Sequence, residues 1–260
     1  MAGTYPETVG SGAMERFKGK VALVTGASAG IGRAVAKMLA ENAMRVAVCA
    51  RRAERLAELA AELPAADWLT RSVDLRDEAE IGALFAEIRQ RWGGVDVLVN
   101  NAGLGHDAPL MSGRTEQWRE TLELNVLALS VCTREALSDM RRRGDDGHVV
   151  HVSSMAAHRV PPGSGMYSAS KFAVRALTEA LRQELREAGS KIRVSAVSPG
   201  YVETEFAAHY FQSQEAAKKT YGRFKVLEPA DVAEAVRYLL SAPPHVQVHD
   251  ILMRPTQQPS

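Results

Sequence analysis

From Lys20 onward the chain alternates short apolar runs with longer segments whose apolar residues recur at helical spacing, and the first such junction carries a glycine turn. The run Val21 to Val24 leads into Thr25-Gly26-Ala27-Ser28-Ala29-Gly30-Ile31-Gly32, and Ile31 to Leu39 is apolar-periodic, so the order is strand, glycine turn, helix. Repeated units of this kind require a parallel sheet covered by helices on both faces. Strands are expected at about 20–25, 44–50, 67–73, 95–99, 147–153, 191–198 and 246–252, with the longest helices near 116–142 and 166–188. Reversal of strand order between the first and fourth strands opens a crevice at the carboxyl ends of the strands. Gly26, Asn101, Ser154 and Pro199 all fall at such ends, so one cleft collects them.

A glycine turn opening a helix suits a phosphate, because its backbone can approach closely and the free N–H groups of the helix face the anion. By itself it is equally a structural turn, and its Gly-x-x-x-Gly-x-Gly spacing differs from the commoner Gly-x-Gly-x-x-Gly fingerprint. Tyr167 and Lys171, four residues apart, share one helix face. A phenol titrates near ~10, so acid/base work near neutrality needs about 4 kcal/mol of extra phenolate stabilisation, which a neighbouring ammonium can supply. That pair alone also occurs by chance on solvated helices. Asn100-Asn101-Ala102-Gly103 after the apolar strand Val95 to Val99, and Ser154 thirteen residues before Tyr167, add two further features in a fixed order.

With these elements in sequence, together with Asn125 and Pro199-Gly200, the chain resembles the short-chain dehydrogenase/reductase family from about Lys18 to Met253. The resemblance implies an α/β single-domain Rossmann fold, a doubly wound seven-stranded parallel sheet with helices on both faces. It implies a nicotinamide dinucleotide held by Gly26, Ser28, Ala29, Gly30, Ile31 and Gly32 of the turn, and by Asn101, Ala102 and Gly103 on the adenine ribose side. Asp74 and Leu75 would meet the adenine, and Pro199, Gly200, Val202 and Thr204 the nicotinamide carboxamide, with Glu203 starting the following helix. An N-cap role is the other reading of Asp74. At the end of the second strand Ala50 offers no carboxylate to a ribose, and Arg51 and Arg52 follow, so a 2′-phosphate and hence NADP(H) is expected. Some family members carry a basic residue where this chain has Ala29, which leaves that preference mainly to Arg51.

By the same resemblance Tyr167 is the proton donor to a carbonyl oxygen, Lys171 lowers its pKa and holds the nicotinamide ribose, Ser154 orients the carbonyl, and Asn125 holds a water in the proton relay. Ser153 has the wrong offset from Tyr167. Asn125-Val126-Leu127-Ala128-Leu129-Ser130, Asp145-Asp146-Gly147-His148 and Met253-Arg254-Pro255-Thr256 resemble an animal branch of the family that reduces keto-steroids and other hydrophobic carbonyls. The end of the chain is also similar to bacterial 3-hydroxy acid and serine dehydrogenases. The pocket is expected between the loop His158-Arg159-Val160-Pro161-Pro162 and a segment containing Phe206, His209, Tyr210, Phe211, Tyr221 and Phe224. Aromatic lining favours a hydrophobic ketone, whereas Arg159 is either a surface residue or a clamp for a substrate carboxylate. A dinucleotide-sensing module without catalysis is the reading from another class, but such a module tolerates loss of Tyr167 or Lys171 and this chain keeps both.

At 260 residues and 46% hydrophobic content one domain over 14–260 is expected, with the polar, glycine-containing residues 1–13 as a tail. The net charge of +1 supplies no field for nucleic acid or an anionic membrane, and Arg141-Arg142-Arg143 reads as a solvated helix end. No apolar run nears the ~20 residues of a bilayer span, so a cytoplasmic protein without a membrane partner is expected. Two cysteines, Cys49 and Cys132, read as small core residues, and the seven histidines lack paired spacing for a metal. The family resemblance implies a homodimer or homotetramer built through its long helices.

Overall fold

The computed structural model describes residues 14–259; the expected tail at 1–13 lies outside the described residues. Seven parallel strands, β1 (Val21–Thr25), β2 (Arg45–Ala50), β3 (Trp68–Ser72), β4 (Val97–Asn100), β5 (His148–Val152), β6 (Arg193–Pro199) and β7 (Asp250–Met253), form one sheet in the order β3-β2-β1-β4-β5-β6-β7. The order reverses between β1 and β4, as the sequence pattern requires. Val21–Val24 and Val97–Val99 are buried on both faces, the signature of a sheet sandwiched by helices.

One face carries α1 (Gly30–Glu41), α2 (Ala53–Glu62) and α9 (Pro229–Ser241), whose Val35, Leu39, Leu56, Val236 and Leu240 pack on Val24, Val46 and Val99. The other face carries α3 (Glu78–Trp92), α5 (Leu129–Arg142) and α6 (Gly165–Glu187), with Phe85, Ile88, Cys132, Met140 and Leu185 against Leu23, Leu98 and Val149. Two shorter helices, α7 (Phe206–Phe211) and α8 (Gln214–Tyr221), follow β6 and stand over the carboxyl ends of the strands. Cys49 and Cys132 are free and buried, and burial pushes both thiols upward, Cys49 to about 12. They are inert packing groups.

Two expectations need correction. The helix expected at 116–142 is α4 (Thr115–Leu122) and α5 joined by a π-helical stretch, Glu123–Ala128, whose wider turn is a recurrent feature of functional sites and carries no simple apolar period. The seventh strand covers 250–253 rather than 246–252, because Pro243 opens a turn, closed by Val246 N–H, and the Gln247 side chain and Ser195 hydroxyl replace ladder bonds beside β6. Arg141, Arg142 and Arg143 are exposed at the end of α5, as expected, and the Arg143 guanidinium also bonds Asp96 at 3.0 and 3.1 Å and the Trp92 carbonyl, fastening α5 to the start of β4.

Candidate active site

The ends of β1, β4, β5 and β6 open on a cleft of about 610 Å³. Gly26 and Gly30 take positive φ of 68° and 55°, so the chain turns from β1 into α1 in a conformation that a side chain would strain. The N-cap of α1 is Ala29, which supplies no side-chain acceptor, so the first N–H groups of the helix point into the cleft uncapped. Gly32 does a different task. A Cβ there would fall on the Asn101 amide and within 2.6 Å of the Gly26 carbonyl, so glycine keeps α1 tight against β4. Asn101 in turn donates to the carbonyls of Thr25 and Gly26 at 2.9 and 3.1 Å, and Thr25 Oγ1 accepts the N–H groups of Asn101 and Ala102.

All the residues expected for catalysis and cofactor binding line this cleft except Gly32 and Asn125. Asn125 lies behind it in the π-helical stretch, buried, with Oδ1 accepting from Leu104 N–H at 2.9 Å and Nδ2 donating to the Leu104 carbonyl and Ser170 Oγ. Gly103 leaves the space between this amide and Lys171, 3.2 and 3.6 Å from where a Cβ would stand. Leu75, next to Asp74 in the chain, is buried. Asp74 is not the cap of α3; Asp77 holds that position through Ala79 N–H, and the Asp74 carboxylate is instead gripped by Arg76, which holds it down to about 2. Glu203 does not begin a helix either, since its N–H donates to the Leu227 carbonyl beside the Val202–Leu227 bridge and α7 starts at Phe206.

Around Tyr167 the geometry is specific. Ser154 caps the short turn Met155–Ala157, accepting from Ala156 N–H at 3.0 Å, and this fixes its hydroxyl at the end of β5. Lys171 is buried, donates to the Val152 carbonyl at 3.0 Å, and lies 5.9 Å from the Tyr167 ring centre. Burial pulls the Lys171 ammonium down to about 8. The same burial pushes the Tyr167 phenol up to about 12, with Ser154 opposing it and Tyr210 and Tyr221 adding to it. Desolvation is the largest influence on the Tyr167 phenol in this cleft.

That wall is Phe206 and Tyr210, with ring centres 5.3 and 6.2 Å from Tyr167 and 5.9 Å from each other. His209, Phe211 and Tyr221 also line the cleft, as expected, but Phe224 packs on Tyr201 and stays outside. In the opposing loop Val160 is 64% exposed and His158 turns away to bond Asp250 at 2.8 Å, whereas Pro161, Pro162 and Arg159 face the cleft. Arg159 is half-buried. Its Nε is buried and has no partner among the described residues, as is Ser153 Oγ nearby in the wall.

Several contributors carry no signal in the sequence. Gly105 makes room for the wall, since a Cβ there would stand 2.8 Å from Tyr167 and 3.0 Å from Tyr210. Gln258 accepts from Tyr201 N–H at 3.0 Å and donates to Met155 Sδ, closing one side of the cleft from the end of the chain. Glu205 bonds Arg52 at 2.8 Å and Arg55 at 3.3 Å. A nicotinamide dinucleotide fits this donor set: uncapped helix N–H groups for a pyrophosphate, Arg51 and Arg52 with no carboxylate at Ala50, and the unbonded Ser153 hydroxyl in the cleft wall. Among the described residues no group of His, Cys, Asp and Glu is placed to hold a metal ion, and no helix is long and apolar enough to cross a membrane.

Comparison with known proteins agrees with this geometry. A family model described as short chain dehydrogenase matches residues 20–215. The chain is 51% identical over 253 residues to dehydrogenase/reductase SDR family member 11 of Bos taurus, covering 94% of this chain and 99% of that protein. It is 43% identical to farnesol dehydrogenase of Aedes aegypti, covering 93% and 98%. Among solved structures it superimposes with a TM-score of 0.87 on the closed form of serine dehydrogenase complexed with NADP+, at 34% identity, covering 92% of this chain and 96% of that one.

Proposed function

This chain belongs to the short-chain dehydrogenase/reductase family, and we propose that within it the protein is an NADP(H)-dependent oxidoreductase that interconverts hydrophobic ketones, keto-steroids among them, with secondary alcohols. One observation carries the reading: Tyr167, Lys171 and Ser154 meet the glycine turn across a single cleft whose remaining wall is aromatic. When bound, the dinucleotide supplies or accepts the hydride. Uncapped N–H groups of α1 receive its pyrophosphate, Arg51 and Arg52 its 2′-phosphate, and Val202 and Thr204 its carboxamide.

Tyr167 acts as the acid in the reductive direction. Its phenol, held protonated by burial, gives its proton to the carbonyl oxygen as charge gathers there, and Ser154 donates a hydrogen bond to the same oxygen. Lys171, anchored on Val152, keeps its ammonium beside the phenol, and behind the cleft Asn125 ties Leu104 to Ser170. Phe206 and Tyr210 exclude water from the reacting atoms. Leu122, Leu127 and Phe172 lie exposed on the long-helix side, which supports the homo-oligomer the family resemblance implies.

Arg159 favours a second reading, an NADP-dependent 3-hydroxy acid dehydrogenase of the serine type. Arg159 lines the cleft, where its guanidinium would meet a substrate carboxylate. Turnover of a keto-steroid, an aromatic diketone, L-serine and 3-hydroxypropanoate, followed by NADPH absorbance on wild type and Arg159→Ala, separates the two. Higher kcat/KM for the two ketones, kept in the variant, supports the first; strong turnover of the acids, abolished in the variant, supports the second and overturns the first.

A further inference from the structure

Arg52 joins two parts of the cleft that the proposed chemistry treats separately. Its Nε and Nη2 both point at Ser28 Oγ in the glycine turn, at 3.3 and 3.0 Å, while Nη1 bonds Glu205 at 2.8 Å. Glu205 is the residue immediately before α7, and its other oxygen takes Arg55 of α2 at 3.3 Å. On either side of it stand Thr204, whose methyl lies 2.9 Å from where a Gly30 Cβ would be, and Phe206, the ring packed on Tyr167. One carboxylate thus ties the aromatic wall to the arginines at the end of β2.

The orientation of the guanidinium is what matters. Its Nε/Nη2 edge, the fork that matches two oxygens of a phosphate, is spent on a single neutral hydroxyl. A phosphate arriving beside Ser28 takes that edge without displacing Glu205 from Nη1. Arg52 is then held from both sides, by phosphate and by carboxylate, and the side chain is ordered by either one for the benefit of the other. We propose that Glu205 is a positioning residue that couples recognition of the cofactor's 2′-phosphate to the seating of the aromatic wall over Tyr167. The inference rests on the NADP(H) reading above. Because coupling is reciprocal, a cofactor that carries the phosphate strengthens substrate binding, and a cofactor without it does not.

The test compares substrate KM at saturating NADPH with KM at saturating NADH, for one hydrophobic ketone, in wild type, Glu205→Gln and Glu205→Asp, alongside fluorescence titration of both cofactors. Both ion pairs are solvent-exposed, which limits the effect. Wild type should show a KM about threefold lower with NADPH, the size expected of exposed pairs. Glu205→Gln should raise the NADPH value to the NADH value while leaving the NADH value and kcat within about twofold, and Glu205→Asp should restore part of the difference. An equal rise with both cofactors would make Glu205 a structural prop of α7 and overturn the proposal, as would no rise at all. Equal wild-type affinities for NADPH and NADH would instead remove the NADP(H) premise, a result the titration reports independently of KM.

Discussion

The cofactor wall of the cleft is made of backbone, at the ends of β1, β2 and β4, whereas the substrate wall is made of side chains carried by α7, α8 and the loop after β5. On the first wall residue identity is dictated by what cannot be there: a Cβ at Gly32 meets the Gly26 carbonyl, and a Cβ at Gly30 meets Thr204. On the second, the rings of Phe206 and Tyr210 stack on each other and lie tilted and edge-on against Tyr167, and these two tolerate exchange for other apolar groups of similar volume. The difference is one between a rigid cradle for an invariant ligand part and an adaptable enclosure for a variable one.

Single substitutions on the two walls should therefore fail differently. Gly32→Ala adds one methyl to the cradle and should cost about 1–3 kcal/mol by overpacking, lowering the melting temperature by several degrees and cofactor affinity more than tenfold. Phe206→Leu should leave both unchanged within twofold and alter only substrate KM. Thermal melts and cofactor titrations of the pair check this, and a Gly32→Ala protein that binds cofactor normally would break the contrast.

A smaller effect is expected at Arg51, which makes no ion pair among the described residues and faces the cleft. NADPH should bind about tenfold tighter than NADH, equivalent to about 1.4 kcal/mol, and Arg51→Ala should erase most of that gap. Equal affinities in wild type would remove the 2′-phosphate from the account.

Smaller still is the pH dependence that joins the walls. Lys171 is charged below about 8 and neutral above it, and a neutral amine supports neither phosphate-bearing cofactor nor phenol. kcat/KM for NADPH, which reports ionisations of the free enzyme, should fall as pH rises through about 8, by about twofold at pH 8. Tyr167, held up to about 12, adds no second limb in that range. Lys171→Arg should move the fall to higher pH, and an unchanged profile in that variant would assign the limb to another group.

Legibility in the sequence followed the same division. Strand ends, the glycine turn, Asn101 to Gly103 and the Tyr167/Lys171 pair could be read because backbone approach and helical spacing impose residue types at short range. Glu205 and Arg52 are 153 positions apart, and Gln258 stands 57 positions from Tyr201, so only the folded chain brings these together. The raised Tyr167 phenol was invisible for the same reason: spacing shows the ammonium beside it but not the rings that remove its water. The π-helical stretch around Asn125 hid because its wider turn breaks the period by which helices are recognised.

Tyr167→Phe tests the central claim most directly, because it removes one hydroxyl and leaves the ring in its packing against Phe206 and Tyr210. Carbonyl turnover, cofactor affinity and melting temperature are measured side by side on the variant and the wild type. The account predicts turnover lower by ~10² or more, with cofactor affinity and melting temperature nearly unchanged. Residual turnover near that of wild type would contradict it and remove Tyr167 as the acid.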